Sequence, residues 1–237
     1  MNISFPSTAP QTKKELFARL QTAIETGWYK MPSEKRYNGT GGAGNFLEDL
    51  LGSQAGKMDI ADSTGWEVKS YTEKTALITL FHKEAQPVNI MRYMVSKYGQ
   101  KDRLGRLGFR HTIRGKSDRF KVVDDNGQVI VRPLAKNGSV PYWTHADILN
   151  GAAKLKRMLL VKLERNEQEV RFIEADCFEN FYLQFFTYEL ACGTVAIDFD
   201  VREAKPGSKG LRNHGTKFRV PPRNVCRLYT NKSPFKG

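Results

Sequence analysis

The sequence predicts an α/β (α+β) fold with a central mixed β-sheet flanked by helices. Three observations carry that expectation. Segments with helical spacing interleave with alternating or continuously apolar runs, the order that builds mixed sheets. Forty per cent of the 237 residues are hydrophobic and 27% charged, a globular composition. No internal repeat or low-complexity linker divides the chain, whose length suits one large domain or one domain with two lobes.

The elements follow in order. "TKKELFARLQTAIETG" sets Leu16, Phe17, Leu20 and Ile24 at helical spacing and stops at Gly27. The glycine cluster from Gly39 to Gly44 and the turn at Gly52 bracket a short helix carrying Phe46, Leu47, Leu50 and Leu51. "WEVKSY" alternates as a half-buried strand does. After the charged turn "TEK", "ALITLFHK" reads as a second strand, so the two are expected to pair as a hairpin. The basic stretch from Asn89 begins helical and becomes strand-rich, with "DDNG" at 124–127 a hairpin turn between "FKVV" and "QVIVRPL". "THADILNGAAKLKRM" is expected as a helix with Thr144 as N-cap. "MLLVKLE" and "EVRFIEADCF" are strands, "NFYLQFFTYELACG" a helix closed by Gly193, and "TVAIDFDVRE" a strand. The glycine-rich basic tail reads as a loop feeding a last strand at "KFRV".

Thirty-eight Lys and Arg against 25 Asp and Glu leave a formal charge of +13. Such an excess predicts a polyanionic partner, because basic side chains on a phosphate backbone release its counterions; the plainer alternative is a basic protein indifferent to DNA. No apolar run reaches the roughly 18–20 residues that span a bilayer, and the opening "MNISFPSTAPQTKK" has no signal-peptide pattern. A cytoplasmic protein is expected, without a membrane partner. Cys177, Cys192 and Cys226 form no C-x-x-C pair and read as reduced thiols in or near the core.

Against that positive background, "MDIADSTGWEVKSY" at 58–71 gathers Asp59, Asp62 and Glu67 beside Lys69. Hard divalent cations such as Mg²⁺ take a few carboxylates and keep water and phosphate in their other positions. Asp62 and Glu67 can supply the carboxylates, with Asp59 an open alternative to Asp62. Glu67 and Lys69 are two apart, so a strand projects both from one face. An ammonium there can orient the attacking water or offset charge on a pentavalent phosphate, the chemistry of metal-assisted phosphodiester hydrolysis. An E-V-K triplet is also common on solvated strand faces. Glu48 on the short helix is a candidate auxiliary ligand or a solvated helix acid beside Asp49, and His82 a candidate groove or phosphate contact or a surface histidine. "GTGGAG" lacks the Lys-Ser/Thr of a P-loop, the four histidines have no zinc spacing with the cysteines, and no G-x-S-x-G elbow occurs.

The blocks "GNFLEDLLG", "MDIADSTGWEVKS", "ALITLFHK", "NIMRYMVSKYGQKDRLG", "VPYWTHADILNGAAKLKRMLLV", "IDFDV" and "HGTKFRV", in this order and spacing, resemble the MvaI/BcnI family of type II restriction endonucleases. That family is related to the DNA-nicking protein MutH, within the PD-(D/E)XK nuclease class. The resemblance implies a restriction-endonuclease-like core with a DNA-binding cleft between two lobes. The catalytic lobe is expected around 40–85 and the recognition lobe to include 97–145 and 195–222. It puts the catalytic set on Asp62, Glu67, Lys69 and Glu48, with Ala61 where the family usually has proline. Base-reading positions fall on Asp198, Asp200, Lys217 and Arg219, and His82 matches a minor-groove histidine of some members. An aspartate accepts from cytosine N4 and an arginine grips guanine O6 and N7, so Asp198 with Arg219 suits a G·C-rich site. His214 and Arg212 are candidate phosphate contacts, or parts of a basic solvated loop. The family further implies Mg²⁺, double-stranded DNA with a short CC-N-GG type site (CCWGG or CCSGG), a monomer that nicks one strand at a time, a prokaryotic source and a companion DNA methyltransferase. Two alternatives stay open: a MutH-like repair nickase and a catalytically silent sequence-specific DNA-binding protein.

Overall fold

The computed structural model describes residues 4–52, 65–135, 138–204 and 210–236. The chain forms two compact units: Met1–Ile78 with Lys154–Phe181 and Leu228–Gly237, and Thr79–Ala153 with Tyr182–Arg227. Elements are numbered along the chain.

The first unit holds α1 (Lys13–Glu25), β1 (Trp28–Lys30), α2 (Gly42–Leu51), β2 (Glu67–Tyr71), β9 (Arg157–Arg165), β10 (Glu169–Phe181) and β14 (Tyr229–Pro234). Thr12 caps α1 by accepting from the Glu15 amide, which satisfies one of the helix's orphan donors. Thirteen-residue β10 is the spine of the sheet. One edge pairs antiparallel with β9, and the other is shared by β1 at Glu169–Arg171 and β14 at Asp176–Phe181. β2 lies outside β9 and pairs with it parallel, Glu67 opposite Met158 and Lys69 opposite Leu160, so the sheet is mixed, as expected. Leu16, Leu20, Phe46, Leu47, Trp66, Leu159, Val161 and Phe172 pack into one buried core. Helix α2 sits tightly in place: a Cβ at Gly42 would meet the Tyr37 carbonyl, and one at Gly44 would lie 3.4 Å from Ser70 Oγ on β2.

The second unit holds β3 (Ile78–His82), α3 (Ile90–Tyr98), β4 (Gln100–Lys101), β5 (Leu107–Ile113), β6 (Phe120–Asp125), β7 (Gln128–Pro133), β8 (Tyr142–Thr144), α4 (His145–Ala152), α5 (Phe186–Ala191), β11 (Ala196–Glu203), β12 (Leu211–Asn213) and β13 (Lys217–Val220). Its larger sheet runs β3-β13-β11-β5-β4, with β12 also on β11. β11 repeats the plan of β10, with β5 along one edge and β13 and β12 dividing the other. The smaller sheet, β6-β7-β8, contains the expected "DDNG" hairpin. Its turn has positive φ at Asn126 (50°) and Gly127 (77°), the pair of left-handed residues that matches strand twist in a two-residue loop. Thr144 caps α4 in a reciprocal box with Asp147. Phe81 stacks on Phe218 at 4.6 Å, and buried Trp143 donates its indole N–H to the Lys83 carbonyl.

Four expectations need correction. β2 and β3 make no hairpin: the Thr72–Thr75 turn between them is real, but β2 pairs with β9 and β3 joins the sheet of β13. The "NFYLQFFTYELACG" helix begins only at Phe186, because β10 runs on to Phe181 before a break. The α4 helix ends at Ala152 and a 3-10 turn, Ala153–Lys156, leads into β9. "KFRV" is not the last strand, since β14 follows it. Of the cysteines, Cys177 is buried, whereas Cys192 and Cys226 are exposed; all three are free thiols.

Candidate functional site

The first unit's site grows from the start of β2. Trp66 is fully buried, with Lys13 Nζ 5.0 Å and the Arg157 guanidinium 5.6 Å from its ring centre. That anchor fixes the next residue, Glu67, whose side chain the strand turns to the same side as Lys69. Lys69 Nζ lies 2.6 Å from Glu67 Oε1, so the geometry expected of two strand residues i and i+2 is met. Among the described residues Glu67 is the one charged residue that is buried, 8% exposed. A charge so enclosed needs an ionic partner, and it has a second one that no local pattern announces: Lys154 Nζ stands 3.4 Å from the same Oε1. Lys154 sits on the 3-10 turn before β9, 85 residues beyond Lys69, where parallel pairing of β2 with β9 returns the chain. Buried Tyr229 steadies that turn by donating its hydroxyl to the Leu155 carbonyl at 2.8 Å. Burial, with a smaller effect of the Glu67 charge, raises the Tyr229 pKa above its ordinary value.

Glu48 lies half-buried on α2. Its neighbour Asp49 is committed elsewhere, accepting from Arg36 at 2.9 Å and from the Tyr37 hydroxyl at 2.8 Å. Burial and that carboxylate push the Tyr37 pKa up to about 12. Asp59 and Asp62 fall outside the described residues. Among the described residues no group of three His, Cys, Asp or Glu side chains is placed to hold a metal. Glu67 supplies one hard oxygen donor of the kind a divalent cation takes.

The second unit presents Asp198, Asp200, Lys217 and Arg219 on one face of its larger sheet. Alternation along β11 buries Ile197, Phe199 and Val201 and leaves Asp198, Asp200 and Arg202 on the less buried face. β13 does the same, burying Phe218 and Val220 and presenting Lys217 and Arg219. Arg219 Nη1 donates to Asp198 Oδ2 at 2.9 Å, and the Thr112 hydroxyl donates to Oδ1 at 2.6 Å. Lys217 is the register partner of Asp198. Asp200 accepts from Arg110 Nε at 3.0 Å. His214 and Arg212 are exposed, and the backbone amide of His214 donates to the Asp200 carbonyl at 3.0 Å. His82 is exposed at the end of β3; a Cβ at Gly215 would lie 3.3 Å from its ring. The sequence reading missed Thr112 and Arg110, which lie some 90 residues from their partners and become visible only through the β5–β11 register.

The fold matches solved structures over nearly its whole length. It is similar to restriction endonuclease MvaI in complex with cognate DNA substrate, at 23% identity, covering 94% of this chain and 98% of that one with a TM-score of 0.79. It is also similar to MvaI in the absence of DNA, at 22% identity, 98% and 100% coverage and a TM-score of 0.58. The class is therefore that of the restriction-endonuclease fold. A search of curated proteins found no match. The model of the MvaI/BcnI restriction endonuclease family matches residues 17–229, and the chain belongs to that family. It is a type II site-specific deoxyribonuclease. Among the described residues no helix is long and apolar enough to cross a membrane.

Proposed function

We propose that the protein cuts double-stranded DNA at a short G·C-rich site of the CC-N-GG type, as a Mg²⁺-dependent monomer that nicks one strand at a time. The observation that carries this reading is the enclosed Glu67 carboxylate clasped by Lys69 at 2.6 Å, on a strand of a chain that belongs to a restriction endonuclease family. In this reading Glu67 and Asp62 hold the divalent ion, which supplies charge neutralisation at the phosphate and a more acidic water. Lys69 orients the attacking water and offsets charge on the phosphorane. Lys154 keeps the Glu67 carboxylate in place, and Glu48 serves as an auxiliary water holder. Catalysis belongs to the first unit, and the second unit reads sequence: Asp198 accepts from cytosine N4 while Arg219 addresses guanine. His82 reaches a groove edge, and His214, Arg212 and Lys217 contact phosphate or base edges. A companion methyltransferase protects the host site.

The test is incubation of supercoiled plasmids with purified protein and Mg²⁺, followed by sequencing of the ends. Nicked circles that convert to linear DNA with ends at one G·C-rich sequence support the reading. Plasmid left intact by the wild type, or cut as well by Lys69→Ala, refutes it. Accumulation of nicks alone marks the repair nickase instead.

A further inference from the structure

The open face of the second unit's sheet carries one ion pair more than the reading above uses. β5 runs antiparallel beside β11, placing Thr112 opposite Asp198, Arg110 opposite Asp200 and Gly108 opposite Arg202. The result is a repeat: Arg219–Asp198 at 2.9 Å, then Arg110–Asp200 at 3.0 Å, two residues further along the strand. Each pair joins a planar fork of N–H donors to a carboxylate acceptor. A G·C pair shows the complement in the major groove, acceptors O6 and N7 on guanine and the N4 donor on cytosine. The second pair is also set apart by exposure. The Arg110 side chain is 64% exposed while Asp200 is 24% exposed, so the guanidinium stands out from the face and the carboxylate stays at its base. An exposed ion pair adds little to stability, so folding does not account for repeating the motif. No apolar residue interrupts this row of Asp198, Asp200, Arg110 and Arg219, and the ion pairs keep the four side chains in set positions before DNA arrives.

We propose that Arg110 is a specificity-determining residue: with Asp200 it reads a G·C pair, Arg110 at guanine O6 and N7 and Asp200 at cytosine N4, beside the pair read by Asp198 and Arg219. The inference rests on the reading of the protein as a sequence-specific DNA endonuclease whose sheet face enters the major groove.

The experiment uses the full chain, a pool of duplexes with a randomised segment, and Mg²⁺; cleaved ends are sequenced for wild type, Arg110→Lys and Arg110→Ala. Lysine keeps the charge but loses the bidentate fork. Both variants are expected to lose preference at one base-pair position, with its symmetry mate in a palindromic consensus, by about tenfold to a hundredfold. The other positions keep theirs, and the melting temperature is unchanged. A phosphate contact gives a different pattern: Arg110→Ala weakens all sequences alike, lowers the salt slope by about 1, and Arg110→Lys restores wild-type behaviour. That pattern, or an unaltered consensus in Arg110→Ala, overturns the role of Arg110 alone. A wild type with no consensus overturns the parent reading and this inference together.

Discussion

The two units use the same charged groups in opposite ways. In the first, one carboxylate, Glu67, is closed away from solvent and shared by two ammonium groups, at 2.6 and 3.4 Å. In the second, two carboxylates sit on one sheet face, each with its own guanidinium: the Asp198 side chain is nearly as enclosed as that of Glu67, 13% against 11% exposed, whereas Asp200 is 24% and its partner Arg110 64% exposed. The difference matches the two tasks. Chemistry on a phosphodiester gains from charges fixed in a dry setting, where each is worth more than in water. Reading a base edge needs donors and acceptors that water can leave and a base can reach, and in the second unit each guanidinium, 28% and 64% exposed, stands further out than the carboxylate it holds. The lysine, a compact charge on a flexible stem, suits the first; the planar arginine fork suits the second.

Breaking the enclosed cluster has the largest expected effect. Lys69→Ala lowers plasmid cleavage by about a hundredfold to a thousandfold, while duplex affinity in gel shift changes little; loss of binding with cutting intact would reverse the roles assigned to the units. Removing Lys154 as well adds little to that loss, because groups acting as a unit are not additive. Next is stability. Glu67→Gln leaves two lysines without their anion and costs roughly 1–3 kcal/mol in urea unfolding with chelator present, whereas a neutral result would mean that the two ammonium groups are well solvated. A smaller effect lies in the second unit. The Thr144 hydroxyl and then Lys83 hold the Asp147 carboxyl below its ordinary value of 3.8. A depressed carboxyl pKa stabilises the fold above the unfolded value and loses that contribution as pH falls through the folded one. Asp147→Asn therefore costs about 1 kcal/mol at neutral pH, and the gap to wild type narrows in acid unfolding as pH falls from 3.8 through the lower folded value; a gap that does not narrow rules the linkage out. Smallest is Asp200→Asn, expected within about 0.5 kcal/mol of wild-type stability, checked by the same urea titration. A cost as large as that of Glu67→Gln would erase the contrast between the units.

Much of this was legible along the chain because its signals are local. The N-cap at Thr144, the turn of "DDNG" and the pairing of Glu67 with Lys69 each depend on residues two or three apart. "TVAIDFDVRE" was likewise legible as a strand, while the face that Asp198 and Asp200 share came with its burial pattern. What stayed hidden depends on strand partners far away. Lys154 reaches Glu67 only because β2 pairs parallel with β9, and parallel neighbours need a long crossover that no turn signal announces. The same fact undid the expected hairpin: a good turn after Tyr71 says where β2 ends, not what it pairs with. The aromatic run after Phe178 misled because a buried strand end and the start of a helix share the same residue types. Asn180, at φ 59°, is the last residue but one of β10.

The divided edge of β11 has a consequence for retargeting. Between the stretches claimed by β13 and β12, the Asp200 carbonyl is met by the main-chain amide of His214. The loop is thus moored by an atom every residue except proline possesses. Its imidazole can be exchanged for other chemistries without slackening that mooring, which makes position 214 a place where new contacts can be grafted while the carboxylates next door keep their posture.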